Sequence, residues 1–139
     1  MNALDRRGIR LVLIHLACLG AYIVSPFLAA TFLPLRGWLT LGIGLGIIAC
    51  LASAWFVATA VRSEERSSGS ALIFAISAIL TAVGWGFGIV GWIEEFRANT
   101  ELPIINLGIL LVPAGVLLGV AGVAAAWAQS ISQDGRRSH

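Results

Sequence analysis

Lysine is missing from this chain of 139 residues, so all nine basic side chains are arginine. Charge of either sign is missing over far longer windows. Leu11 to Leu33, Trp38 to Val61, Ala71 to Ile93 and Ile104 to Ala128 each run for 23 or more residues without an Asp, Glu, Lys or Arg. The charged fraction of 12% is about half that of a soluble domain, and 58% hydrophobic residues with a mean hydropathy of +0.92 point the same way. A water-soluble fold is therefore excluded.

Other absences narrow the function. No Ser/His/Asp set, HExxH, cluster of metal ligands or phosphate-binding loop occurs in the sequence, which speaks against hydrolase and metalloenzyme readings and predicts a non-enzyme with no metal. Ion-coupled transporters and proton pumps place a carboxylate, arginine or paired histidine within a span. The uncharged windows disfavour them, small multidrug exporters included. The two cysteines, Cys18 and Cys50, lie inside the windows without CxxC spacing and read as packing residues. A formal charge of +2 and arginines scattered along the chain predict no nucleic-acid partner and no dedicated anionic-lipid patch.

What remains is apolar sequence in four long runs. A hydrocarbon core of about 30 Å needs ~20 residues of helix, and in lipid only helices or closed barrels satisfy their own backbone. The runs are too long and too uniformly apolar for barrel strands. They predict an all-α integral membrane fold, a four-transmembrane-helix bundle over residues 1–139 with spans at 9–33, 38–61, 71–93 and 104–128. Linkers are short, so consecutive helices are expected to be antiparallel neighbours in an up-down-up-down order. Glu94 to Pro103 is read as an outer loop.

Arginine placement sets the orientation. Arg6, Arg7, Arg10, Arg62, Arg66, Arg136 and Arg137 fall on one side of this topology, and only Arg36 and Arg97 on the other. Short cytoplasmic loops carry the positive excess, so both termini are expected inside a bacterial-type plasma (inner) membrane. The first apolar run exceeds a signal-peptide core and has no small-x-small site after it, so it is expected to be retained.

Small residues form lines. Ser77, Thr81, Gly84, Gly88 and Gly91 recur at steps of 4, 3, 4 and 3 and so share one helix stripe. Gly42, Gly46, Ala49 and Ser53 form a second line, and Gly108, Gly115, Gly119, Gly122 and Ala126 a third. Gly42 to Gly46, Gly84 to Gly88 and Gly115 to Gly119 each match GxxxG, a spacing that lets backbones approach where lipid removes the hydrophobic drive. These lines close the chain's own bundle, accept a helix from another chain, or both. Large residues on other faces, Phe74, Ile79, Ile109, Leu117 and Leu118, suggest contact surface beyond that need. Trp38 and Trp92 near the outer ends, and Trp55 and Trp127 near the inner ends, are expected to be interfacial anchors.

Polar groups within spans are few. His15, with Tyr22 seven residues on along the same face, is a candidate ligand for haem or a hydrogen-bond partner for a quinone. Alternatively it bonds a neighbouring carbonyl or a lipid headgroup. Pro26 and Pro113 each remove an intrahelical bond, from the carbonyls of Tyr22 and Ile109, and bend their helices. With Ser25, Thr31 and Asn106 at comparable depth and Glu94 and Glu95 above, they outline a candidate outer cavity, unless Ser25 re-satisfies the backbone locally and the kinks only let the helices follow a larger partner.

In helix count and loop lengths, with a charged loop at Arg62-Ser63-Glu64-Glu65-Arg66, the plan resembles the small four-span accessory subunits of actinobacterial haem-copper oxidases. That resemblance implies a subunit packed outside a catalytic core, binding lipid and holding no redox centre. The expected function is accordingly a non-catalytic accessory or assembly subunit of a larger membrane complex, with membrane lipids and other integral subunits or copies of itself as partners. A homo-oligomeric channel or a small-solute or lipid transporter is the alternative, and a haem- or quinone-binding subunit using His15 the third.

Overall fold

The computed structural model describes residues 1–29, 35–63, 69–98 and 107–137. These form α1 (Ala3–Ala29), α2 (Leu35–Arg62), α3 (Gly69–Ala98), a 3-10 turn (Leu107–Leu110) and α4 (Leu111–Arg137). Among the described residues the secondary structure is wholly helical, and all four α-helices are long and apolar enough to cross a bilayer. The protein is a multi-pass membrane protein.

Each helix end has a local cause where one is visible. Asn2 caps α1, its side-chain oxygen accepting from the Asp5 amide at 2.7 Å. Pro26 withholds an N–H from Tyr22, and Ser25 fills the gap, its hydroxyl donating to the Tyr22 carbonyl at 2.9 Å. The frustration created by proline is thus relieved one residue away. Pro113 behaves differently from expectation. It is the third residue of α4, directly after the 3-10 turn, where the first-turn amides have no intrahelical acceptor and a missing N–H costs little.

Two boundaries also differ from the apolar runs. The first helix begins at Ala3 rather than Ile9, and α3 continues through Ala98, so Glu94 and Glu95 are helical rather than part of a loop. Hydropathy marks where lipid ends, while the backbone ladder continues past that point as long as nothing breaks it.

α3 is the hub, packing on α4 and α2 most extensively and on α1 as well. Inside, one cluster gathers Leu4, Leu11, Phe56, Phe74 and Ala126, and a second Cys18, Leu39, Ala49, Trp85, Trp92 and Val112. Phe74, expected on an outer face, is fully buried; Ile79 and Leu117 are indeed exposed. Leu13, Leu51, Leu72 and Phe27, the last 82% exposed, also point outward, as lipid permits.

Candidate functional site

The small-residue lines of α3 and α4 face each other, while the line on α2 receives large side chains from α1 and α3. A Cβ built on Gly84 would lie 2.7 Å from the backbone nitrogen of Val112, and one on Gly115 would lie 2.9 Å from that of Thr81. Real side chains never come so close, so α3 and α4 meet backbone to backbone only because both positions are glycine. Gly88 abuts Ile109, Gly108 abuts Phe87, Gly119 abuts Val12 and Ser77, and Gly122 abuts Phe74 and Ile73. On α2, Gly42 receives Trp92 and Tyr22, and Gly46 receives Ile89 and Trp85. Gly91 is half-buried. Apart from Gly91, the seam glycines are thus occupied by the chain's own helices. Those with open space around them are Gly20, Gly44 and Gly86, which lie on none of the three lines.

Polar groups buried along these seams tie the helices together. His15 is fully buried, and its Nε2 lies 3.0 Å from the Ser53 hydroxyl on α2. Its Nδ1 is enclosed without a hydrogen-bond partner. A buried imidazole with one nitrogen spare is a costly arrangement, and the Ser53 contact carries the compensation. Axial ligation through Nε2 would require that contact to break. His139, the other histidine, lies outside the described residues. From α3, Ser77 donates to the Gly115 carbonyl of α4 at 2.7 Å, while Thr81 bonds back within α3 to the Ser77 carbonyl at 2.8 Å. Cys50 places its sulfur 3.6 Å from the Ala82 carbonyl, a donor contact between α2 and α3.

Tyr22, seven residues on, has different neighbours from His15. It is enclosed by indoles: stacked on Trp38 at 5.1 Å, tilted against Trp92 at 5.2 Å and edge-on to Trp85 at 5.8 Å. Trp92 is buried and Trp38 half-buried in this aromatic cluster, while Trp55 and Trp127 are 48% and 68% exposed. The buried Trp38 and Trp85 indole N–H groups have no partner among the described residues. Glu95 is buried and engaged near this cluster, and Glu94 is exposed.

Ser25, Pro26, Pro113, Glu94 and Glu95 line none of the three described cavities. Thr31 and Asn106 lie outside the described residues.

At the opposite end of the bundle a contact appears that composition concealed. Asp5, buried, accepts a hydrogen bond of 2.7 Å from the Ser70 hydroxyl, with the Gln129 side-chain oxygen 3.4 Å from the same hydroxyl. That joins α1, α3 and α4. Its one sequence signal is a lone acid among Arg6, Arg7 and Arg10, in the first turn of a helix where a carboxylate favours the dipole. Taken together, these groups tie the described helices to one another. No protein-family model, curated protein or solved structure matches the chain.

Proposed function

We propose that this chain is a non-catalytic accessory or assembly subunit of a larger membrane complex, threaded up-down-up-down through a bacterial-type inner membrane with both termini in the cytoplasm. The observation that carries the reading is the filled interior. Trp85, Phe56, Phe74, Leu11, His15 and Val112 each expose less than 2% of their surface, so the middle of the bundle is side chain rather than passage. A rigid, closed bundle of this kind supports a packing role over conduction through one copy.

Partner contact then belongs on outward faces rather than on the glycine lines. The exterior of α2 supports this. Gly37, Thr40, Leu41, Gly44, Leu45 and Ile48 line an apolar groove of about 430 Å³, and a side chain added at Gly44 meets nothing within 4 Å. Small residues beside such a groove let a neighbouring helix approach closely.

Extraction from native membrane in mild detergent tests the proposal. An accessory subunit travels with larger membrane proteins at fixed stoichiometry, and Gly44→Leu lowers that yield while leaving the isolated chain folded. A ring of this chain alone would overturn the proposal in favour of a channel. A Soret band abolished by His15→Ala would replace it with a haem protein.

A further inference from the structure

Two arginines far apart in sequence share one cavity. Arg7 near the start of α1 and Arg62 at the end of α2 line a space of about 350 Å³, together with Ala3, Leu4, Thr59 and Ser63. That volume lies within the range of ligand sites. We infer that this cavity binds the phosphate of an anionic phospholipid, with both guanidinium groups as donors.

Chemistry and position support the assignment. Guanidinium forks match phosphate oxygens in pairs, and they desolvate more readily than ammonium groups. Among the described residues neither fork is held by a carboxylate or another acceptor. Thr59 spends its proton on the Phe56 carbonyl at 2.8 Å and the Ser63 amide donates to the Ala60 carbonyl, so the arginines are the charged donors facing the cavity. The last carbonyls of α2 oppose an anion, but a helix end carries only about half a charge against two full positive ones.

Depth selects a lipid over a soluble anion. Arg62 ends an uncharged window, and on the same side of α2 Trp55 sits seven residues, about 10 Å, deeper. Trp55 is exposed, and Leu51, one turn deeper again, is 65% exposed. Tryptophan marks the interfacial layer, which places the arginine pair at headgroup level with an apolar track beneath for an acyl chain. Reading arginines one by one along the sequence missed this pair, because the fold alone brings residues 7 and 62 together. This site does not depend on whether the chain serves a larger complex.

Native mass spectrometry of the purified full chain from nanodiscs of equal phosphatidylglycerol and phosphatidylcholine provides the test. Wild type retains phosphatidylglycerol preferentially. Arg7→Gln and Arg62→Gln each lower that preference about five-fold and the double variant about thirty-fold, while Arg97→Gln at the far end of α3 leaves it intact. Arg7 is half-buried and Arg62 exposed, so the single variants keep the test open should the double variant misfold. Undiminished preference in both single variants, or an equal loss in Arg97→Gln, would overturn the inference. Release of the bound lipid by millimolar inorganic phosphate would reassign the cavity to a free anion and overturn the lipid assignment.

Discussion

The Ser77 hydroxyl of α3 reaches the Gly115 carbonyl of α4 across 2.7 Å, and the absence of a side chain at Gly115 is what allows it. Polar bond and close approach are one feature, yet they are separable by mutation. Ser77→Ala removes a single interhelical bond, worth about 0.6 kcal/mol in membrane proteins. Gly115→Val forces atoms into the Thr81 backbone and costs ~1–3 kcal/mol as an overpacked core does. Unfolding by a graded denaturing detergent, followed by circular dichroism, should rank the two in that order. Equal losses would mean that the hydrogen bond rather than the backbone approach holds α3 on α4.

Inward and outward glycines should part company in the same assay. Gly84 faces the Val112 backbone, whereas Gly86, two residues away on the other side of α3, has nothing within 4 Å. Gly84→Leu is expected to separate α3 from α4 and lower the unfolding midpoint steeply. Gly86→Leu should change stability by no more than about 0.5 kcal/mol, as surface substitutions do. If Gly86→Leu were the more damaging, the helix faces assigned to interior and lipid would be reversed.

That contrast shows what the sequence carried. Four helices were legible because an uncharged run of that length has few other solutions in lipid. The glycine lines were legible as lines, since 3.5-residue spacing fixes a stripe. Their destination was not, because a stripe that fits another helix fits one from its own chain equally well. The contacts of Trp38 and Trp92 were not legible either: a tryptophan near a span end suits an interfacial belt and an aromatic cluster alike, and the Tyr22 they pack on is 16 and 70 positions away from them. The Asp5–Ser70 and Arg7–Arg62 pairings are long-range facts with no local signature.

His15 and Ser53 should behave as a unit. With His15 fully buried and Nδ1 unpartnered, Ser53→Ala removes the side-chain contact of Nε2, a loss of ~1–3 kcal/mol. In a His15→Leu background the same Ser53→Ala change should cost far less, because the hydroxyl then has only backbone to bond. A double-mutant cycle on the unfolding free energies reads the difference directly. A coupling near zero would show that the 3.0 Å contact contributes nothing and that His15 is held by packing alone.

The five tryptophans offer a structural test that needs no loss of stability. Trp85 and Trp92 lie 6.0 Å apart in the interior at 0% and 7% exposure, while Trp55 and Trp127 face outward. Brominated acyl chains quench only indoles they can touch. In vesicles of brominated lipid, removing Trp55 and Trp127 together by Phe substitution should abolish most of the quenching. Trp85→Phe should instead lower total fluorescence and leave the quenched component unchanged. Were the quenched fraction to fall with Trp85→Phe, lipid would be reaching the centre of the bundle, and the packed aromatic interior that argues against a passage would not exist in the membrane.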